Sequence, residues 1–322
     1  MKDHSVKIAL LKTLSDGAFY SGEALGISLG ISRAAISKHI KGIQEWGVDI
    51  FRIQGKGYQL AKPMNLLNEV YLKQRIHNPL YLYPVIDSTN QFLMDRTDSL
   101  ESGTVCLAEY QENGRGRRGR QWYSPFGSNL YLSMYWNLEA GIAGAMGLSL
   151  VAGIAVIDAL ESLGISGVKL KWPNDLYFND KKLAGILVEM SGQAGGSASL
   201  IVGMGMNLSM QVGNSEIIDQ PWSCLSDVLD GESVDRNKLA VEIISCWNNA
   251  LEEYEFKGMS SFVARWNQLD NFIDRSVKLL IGKREICGID KGIDSRGAII
   301  LETEQGIESY IGGEISLRKN DL

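Results

Sequence analysis

Residues 114–130 read GRGRRGRQWYSPFGSNL, and this stretch separates two fold classes. Its three spaced glycines match the G-x-G-x-x-G pattern of dinucleotide-binding folds, where the pattern follows a strand and opens a helix. Here residues 105–110 predict the preceding strand, but Ser124 and Pro125 follow, and residues 130–136 predict a second strand instead of a helix. The stretch therefore argues against a Rossmann fold and predicts a basic loop between two strands.

The charge of this loop is a local exception in an acidic chain. Four arginines lie within it, although the whole chain has a formal net charge of -6. Glycine lets the backbone approach a ligand closely, and arginine supplies forked donors that suit phosphate oxygens. The loop therefore indicates a phosphate-bearing ligand. The alternative is a solvated basic loop without a ligand, which leaves the neighbouring Trp122 unexplained.

Length and composition indicate a globular protein of two or three domains. The chain has 322 residues, of which 45% are hydrophobic and 22% charged. No apolar run reaches membrane-spanning length, and the four cysteines (Cys106, Cys224, Cys246 and Cys287) are too widely spaced for a metal or redox motif. The three histidines are isolated, which argues against a zinc site and a Ser-His-Asp triad. We expect a cytoplasmic protein with reduced cysteines, no membrane partner and no dedicated metal site.

The first 62 residues predict a winged helix-turn-helix. Helical apolar spacing over 6–14 is followed by two short helices, which Ser21 and Ser32 are expected to cap. Residues 48–60 then predict a hairpin, the wing. Nine Lys and Arg against five Asp and Glu make this segment basic, whereas the remainder is acidic. Nucleic acid is therefore a candidate partner.

The second short helix, predicted over 33–40, has the small and basic residues that a recognition helix needs. The DNA-binding candidates there and at the tip of the wing are Ser32, Arg33, Ala34, Ser37, Lys38 and Lys56. A small helical docking domain without a DNA role is the alternative. The helix pair, the wing and the local charge together favour DNA.

The rest of the chain predicts an α/β (α+β) fold in two parts. Residues 65–271 form a mixed-sheet domain with a helix cap at 87–90, a core helix over 145–163 and an amphipathic helix over 235–257. From about residue 272 to 322, short strands separated by glycine turns predict a small β-barrel of about five strands.

Three segments of the central domain share one chemical character. The basic loop, residues 169–175 (KLKWPND) and residues 182–186 (KLAGI) each place cations or amides beside apolar or aromatic surface. No evident nucleophile accompanies them. This pattern suits a reaction catalysed by charge stabilisation and positioning, such as nucleotidyl transfer onto a carboxylate.

Four segments resemble the signature blocks of the biotin–protein ligases. They are GRGRRGRQWYSPFGSNLYLS (114–133), KWPNDLY (171–177), KLAGILVE (182–189) and GGEISLR (312–318). With the N-terminal helix-turn-helix, the chain resembles the bifunctional enterobacterial type, which also represses the biotin operon. The resemblance implies a catalytic domain of the biotin/lipoate ligase type and an SH3-like C-terminal barrel.

The resemblance also implies a reaction and its partners. Biotin and ATP with Mg²⁺ would give biotinyl-5′-AMP and pyrophosphate, without a covalent enzyme intermediate. The biotinyl group would then pass to a lysine of the biotin carboxyl carrier protein of acetyl-CoA carboxylase. Biotinyl-5′-AMP would also act as corepressor, favouring a homodimer that binds operator DNA.

Site residues are carried over by motif. The residues implied to be catalytic are Lys182, Arg115 and Arg117. Those implied to bind biotin and the adenylate are Ser88, Thr89, Asn90, Gln111, Gly114, Arg115, Gly116, Arg117, Lys182, Gly185, Ile186, Gly203 and Gly205. Those implied to bind the nucleotide are Arg118, Arg120, Trp122, Asn174, Asp175, Asn207 and Arg318, with Mg²⁺ arriving with ATP near Asp175.

Three alternatives stay open. A lipoate or octanoate ligase has a related catalytic fold, and only the motif match argues against it. A ligand-sensing transcription factor that has lost catalysis is disfavoured by the intact arginine loop and Lys182. In a ligase without repression, residues 32–40 would form only a packing helix. Residues 191–199 and 209–232 fit the family loosely, and no role is predicted for them.

Overall fold

The structure is a computed structural model that describes residues 3–192, 196–210, 218, 220–311 and 315–319. Its elements follow one another along the chain in three groups. Across the described ranges, no helix has both the length and the apolar character that crossing a bilayer requires.

The N-terminal group has three helices and a hairpin. They are α1 (Ser5–Leu14), α2 (Gly22–Leu29), α3 (Arg33–Gln44), β1 (Ile50–Ile53) and β2 (Gly57–Leu60). Both predicted caps are confirmed, because Ser21 Oγ accepts from the backbone N–H of the third helical residue of α2 at 3.0 Å, and Ser32 Oγ does so in α3 at 3.2 Å. The predicted recognition helix is one turn too short, since buried Ile40 and Ile43 continue its apolar face to Gln44.

The central group contains a seven-stranded sheet and six α-helices among the described residues. The strands are β3 (Leu80–Tyr83), β4 (Val105–Ala108), β5 (Asn129–Leu138), β6 (Lys169–Lys171), β7 (Asp175–Phe178), β8 (Lys181–Gly192) and β9 (Ala198–Asn207). The helices are α4 (Glu69–Lys73), α5 (Thr89–Met94), α6 (Leu148–Ser162), α7 (Leu225–Val228), α8 (Arg236–Lys257) and α9 (Val263–Leu269). The strand order is β3-β4-β5-β9-β8-β7-β6, parallel only between β3 and β4, which confirms the mixed sheet.

The core helix begins later than the sequence predicts. Residues 145–163 have continuous helical apolar spacing, but α6 starts at Leu148. Gly147 has φ +85°, a left-handed conformation that glycine adopts without steric cost, and Ile142–Ala145 forms a separate 3₁₀ turn. The predicted turn over 173–175 is likewise shorter, because Asp175 is already the first residue of β7.

The two faces of the central sheet have different roles. Helices α6 and α8 pack against each other and against one face, and they form the main hydrophobic core. Side chains alternate across a strand, so Cys106, Tyr135 and Ile201 lie on the opposite face, where they pack against Leu93 of α5. Beside α5 this second face bears glycines and small polar residues, which leave room for a ligand.

The C-terminal group is an antiparallel β domain of five described strands. They are β10 (Ser276–Ile281), β11 (Arg284–Ile293), β12 (Ile299–Thr303), β13 (Gly306–Tyr310) and β14 (Ile315–Lys319). The order is β13-β12-β11-β10-β14, which confirms the predicted number of strands. Within the described ranges, β13 and β14 are the two edges of this sheet.

The N-terminal group packs on the central one through Trp46. Its indole stacks on Tyr110 and Phe126, with ring centroids 5.3 and 5.7 Å away, and its carbonyl accepts from the Phe126 N–H at 3.0 Å. The connecting segment is also held, because Arg236 donates to the Asn65 carbonyl at 2.8 Å and pairs with Glu109 at 2.7 Å. These contacts place the helix-turn-helix beside the basic loop.

Candidate active site

Glycines form the floor of the site on the open face of the sheet. A Cβ at Gly203 would lie 1.8 Å from Asn90 Oδ1, and one at Gly205 would lie 2.3 Å from the Trp122 indole. Both positions therefore require glycine for side chains to pack flat on the strands. Gly185, paired with Gly205 on the neighbouring strand, extends this floor.

One end of the site is a buried network of neutral polar groups at the start of α5. The Thr89 N–H donates to Gln111 Oε1 at 3.0 Å, and Gln111 Nε2 donates to Ser124 Oγ at 3.1 Å. Ser133 Oγ lies 2.7 Å from Thr89 Oγ1 and 2.5 Å from Asn90 Oδ1. Such a network suits a small neutral ligand with its own donors and acceptors.

Ser124 and Ser133 are buried and were not among the candidates from sequence. Ser133 is the only non-aromatic polar residue in the strand segment LYLSMYW (130–136). A serine among buried apolar residues indicates a buried polar contact, because buried hydroxyl groups are normally hydrogen-bonded. Ser88, which was a candidate, caps α5 by accepting from the Gln91 N–H at 3.5 Å.

The basic loop is ordered as a short hairpin. The Gly116 N–H donates to the Arg120 carbonyl, and the Trp122 N–H donates to the Gly114 carbonyl, each at 2.8 Å. A 3₁₀ turn over Arg117–Gly119 forms the tip. These bonds give the loop a defined hairpin conformation.

The loop arginines have different surroundings. Arg115 donates to Gln91 Oε1 and pairs with Glu189 Oε2, both at 2.7 Å, while Arg117 Nη1 donates to Asn174 Oδ1 at 2.9 Å. Burial lowers the pKa of Arg117, and the neighbouring Asp175 charge opposes that effect. Arg118 and Arg120 are exposed at the rim. The loop therefore offers partly desolvated cations to an anion that enters the site.

Lys182 lies at the other end of the site because β8 has a bulge. The pairing of β7 with β8 shifts register, so that Leu176 faces Ala184 but Tyr177 faces Lys182. The extra residue restores Lys182 to the face that Gly185 occupies, and a Cβ at Gly185 would lie 3.3 Å from Lys182 Nζ. Lys182 pairs with Asp175 at 2.8 Å, and each side chain is 15% exposed.

These groups line a single cavity of about 500 Å³, a volume typical of small-molecule sites. The sequence candidates that line it are Ser88, Thr89, Asn90, Gln111, Gly114, Arg115, Gly116, Arg117, Arg118, Arg120, Trp122, Asn174, Asp175, Lys182, Gly185, Ile186, Gly203, Gly205 and Asn207. The cavity thus brings together every candidate for catalysis and for biotin or nucleotide binding except Arg318, whose side chain lies outside the described residues.

Several lining residues escaped the sequence interpretation. Trp46 comes from the helix-turn-helix domain, and Trp222 lies beside Lys182, whose backbone N–H donates to the Pro221 carbonyl at 3.1 Å. Their roles depend on tertiary contacts that have no local signal. In the described part of the chain, no three His, Cys, Asp or Glu side chains are grouped to hold a metal ion.

The DNA-binding candidates lie in α3, at its cap and at the turn of the hairpin. Arg33, Ala34 and Lys38 of α3 are exposed, as is Lys56 at the hairpin turn, while Ser37 is half-buried. Ser32 is exposed, but its hydroxyl serves as the cap of α3.

Family models match three parts of the chain. The biotin/lipoate A/B protein ligase family matches residues 82–207, a biotin protein ligase C terminal domain matches residues 272–318, and an HTH domain matches residues 7–59.

Similar proteins extend this match to nearly the whole chain. Proteins named bifunctional ligase/repressor BirA from Salmonella typhimurium and Escherichia coli are 52% and 51% identical, and each alignment covers 99% of this chain and 99% of the relative. A solved structure of biotin protein ligase from Aquifex aeolicus in complex with biotin and ATP is 32% identical, with a TM-score of 0.68, and covers 76% of this chain and 100% of that chain. This chain therefore belongs to the biotin protein ligase family, among its bifunctional ligase/repressors.

Proposed function

We propose that this protein is an ATP-dependent biotin–protein ligase that also represses transcription. It forms biotinyl-5′-AMP and pyrophosphate from biotin and MgATP, and then transfers the biotinyl group to a lysine of the biotin carboxyl carrier protein. The observation that carries the proposal is the division of one cavity into a neutral hydrogen-bonding end and a cationic end.

The neutral end suits the ureido ring of biotin. Thr89, Asn90, Gln111 and Ser133 present amide and hydroxyl groups that are already hydrogen-bonded to one another. A ligand with one carbonyl and two N–H groups can replace bonds in such a network without leaving a buried polar atom unpaired. The glycine floor leaves space for the fused ring.

The cationic end suits the adenylation step. A carboxylate oxygen of biotin attacks the α-phosphorus of ATP, the bond between that phosphorus and the oxygen bridging to the β-phosphate breaks, and pyrophosphate leaves with this oxygen. Lys182 and Arg117 stabilise the negative charge that gathers on the α-phosphate. Lys182 would exchange its Asp175 partner for the ligand, and the freed Asp175 carboxylate would be available to hold the Mg²⁺ that arrives with ATP. Trp122, half-buried beside Gly205, supports the adenine.

Transfer needs no nucleophile from the enzyme. The lysine amine of the carrier protein attacks the carbonyl carbon of the mixed anhydride, and AMP leaves with its oxygen. The same cations that stabilised adenylation stabilise this departure. Arg118 and Arg120 contribute to nucleotide binding from the rim, and Arg318 is a further nucleotide-binding residue in this proposal.

Repression follows from the adenylate in this proposal. Biotinyl-5′-AMP holds the basic loop against the ligand and favours a homodimer, which binds operator DNA through α3 and the wing. The coupling requires that the adenylate bind the dimer-competent state more tightly than the monomer. Domains at 1–62, 65–271 and 272–322 are the units that divide these tasks, supported by the grouping of the elements.

The test is the intact mass of a biotin carboxyl carrier domain incubated with this protein, MgATP and either biotin or lipoate. A single biotinyl adduct is expected. A lipoyl adduct instead would indicate a lipoate ligase. No adduct with either acid would favour a ligand-sensing transcription factor that has lost catalysis. Operator binding that stays undetectable with biotinyl-5′-AMP present would leave a ligase without repression.

A further inference from the structure

Glu189 of β8 touches both halves of the site without lining the cavity. Its Oε2 accepts from Asn90 Nδ2 at 2.8 Å and from Arg115 Nη2 at 2.7 Å. Its side chain is 27% exposed and that of Arg115 is 36% exposed, so the pair is partly desolvated. Glu189 is the last residue of the KLAGILVE segment, but the sequence analysis predicted no role for it.

At the neutral end, Glu189 fixes the orientation of an amide. A carboxylate only accepts hydrogen bonds, so the NH₂ group of Asn90 must face Glu189 and its Oδ1 must face Ser133. Ser133 then directs its single hydroxyl proton to Asn90 Oδ1, which lies 2.5 Å away. Glu189 therefore fixes which atoms of Asn90 and Ser133 donate and which accept at the neutral end, although it does not line the cavity itself.

At the cationic end, Glu189 holds the basic loop. Arg115 directs Nη2 to Glu189 and Nη1 to Gln91 Oε1 at 2.7 Å, which ties the first turn of the loop to β8 and α5. Two of its hydrogen-bonding groups thus face the protein, and its charge has a counter-charge before any ligand enters. Arg115 in this arrangement acts as a strut for the loop backbone.

We propose that Glu189 is a positioning residue that couples the two ends of the site, holding Asn90 toward biotin and the Arg115 strut against the adenylate. This inference rests on the proposed function and adds a residue to it. Its consequence is that the hold of the loop on biotinyl-5′-AMP depends on a carboxylate that never touches the ligand.

The test is a double-mutant cycle on the release rate of preformed biotinyl-5′-AMP, with Glu189→Gln, Arg115→Gln and both together. A charge-assisted hydrogen bond between partly buried groups corresponds to roughly tenfold in rate, so each single variant is expected to release the adenylate about tenfold faster. The double variant is expected to match the single variants, because both break one strut. A release rate is measured per bound molecule, so a loss of folded protein alone does not change it.

Glu161→Gln is the matched control. Glu161 also pairs with an arginine, Arg265, but on a remote exposed surface, and its variant is expected to release the adenylate like the wild type. Glu189→Asp, which keeps the charge on a shorter side chain, is expected to lie between wild type and Glu189→Gln. If Glu189→Gln does not fold, Glu189→Asp replaces it in the cycle.

Two results would overturn the inference. One is wild-type release from the Glu189 variant. The other is a double variant that releases biotinyl-5′-AMP about 100-fold faster than the wild type, which is the product of the two single effects. That result would mean that Arg115 acts on the ligand independently of Glu189. A wild-type protein that forms no biotinyl-5′-AMP would instead refute the proposed function, and is thereby distinguished from both.

Discussion

Lys182 shows how much a single side chain depends on its strand. The KLAGI segment predicts Lys182 as a site residue. The direction in which its side chain points depends on a bulge in β8 that the sequence pattern does not reveal. Strict alternation from Gly185 would turn Lys182 toward the core, whereas the register shift beside Leu183 turns it into the cavity. Once there, it is held by Asp175 at 2.8 Å.

We expect Lys182→Ala to lose adenylation while keeping the fold. The substitution removes a cation that we propose stabilises the developing phosphate charge, and removal of one such donor typically costs roughly 100-fold or more in rate. Biotin-dependent exchange of pyrophosphate into ATP measures the step, and circular dichroism checks the fold. Wild-type exchange by the variant would remove Lys182 from the mechanism.

Arg117→Gly is expected to loosen the loop around the adenylate. The change removes the hydrogen bond to Asn174 and adds backbone freedom at the tip of the hairpin. Biotinyl-5′-AMP should leave the enzyme faster and label bystander lysines of an added protein, whereas Arg117→Lys should label fewer. Unchanged adenylate dissociation would contradict this role.

At the scale of elements, local patterns predicted most of the secondary structure. The serine caps of α2 and α3 and the glycine after α8 mark helix ends because their chemistry is local. The late start of α6 and the bulge in β8 depend on what packs against them, so the sequence could not place them. The positions of Glu189 and Ser133 beside the site depend on how their strands pair in the sheet, which the sequence pattern does not show.

Two buried carboxyl groups, Asp270 and Asp290, lie at the junction between the central and C-terminal groups, and we expect them to make the stability of the protein depend on pH. Burial and the nearby charge of Asp290 together raise the pKa of Asp270 to about 8, although the Phe272 backbone N–H, Arg275 and Lys169 oppose this shift. Burial, with a smaller contribution from the Asp274 charge, raises the pKa of Asp290 to about 6 against the opposing hydrogen bond from the Gly292 backbone N–H. The Oδ2 atom of each buried carboxyl has no hydrogen-bond partner, so no donor at that oxygen stabilises the ionised form.

The sign of the effect follows from proton binding. Between the ordinary value of 3.8 and about 8 the native state holds more protons at Asp270 than the unfolded chain, so stability falls as pH rises through this window. We expect a Tm several degrees lower at pH 8.5 than at pH 6, measured by calorimetry. Asp270→Asn, which cannot ionise, should flatten this slope, and a slope equal to that of the wild type would contradict the assignment.

At the scale of the whole molecule, the helix-turn-helix and the ligand site meet at one aromatic cluster. Trp46 lies between Tyr110 and Phe126, and Lys7 Nζ sits 4.3 Å from its ring centroid. Both Trp46 and Tyr110 line the cavity, so the DNA-binding domain contributes to the site. The sequence predicted both domains, but not this contact, because it joins residues far apart in the chain.

We expect Trp46→Ala to undock the N-terminal domain and to weaken ligand binding. Truncation of a buried tryptophan costs about 3–5 kcal/mol, and here that loss falls on the contact between the domains. Limited proteolysis near residue 63 should accelerate, and biotin affinity should fall. Phe256→Ala is the control, since Phe256 is 89% exposed. Wild-type proteolysis and affinity in the Trp46 variant would show that the contact does not link the domains.

We propose that the active-site cavity both makes biotinyl-5′-AMP and holds it. The most direct measurement is native mass spectrometry of the protein after incubation with biotin and MgATP, without a carrier protein. One biotinyl-5′-AMP bound per chain is the predicted result, with none on Lys182→Ala. A protein that binds biotin and ATP separately, with no adenylate mass on the wild type, would contradict the account.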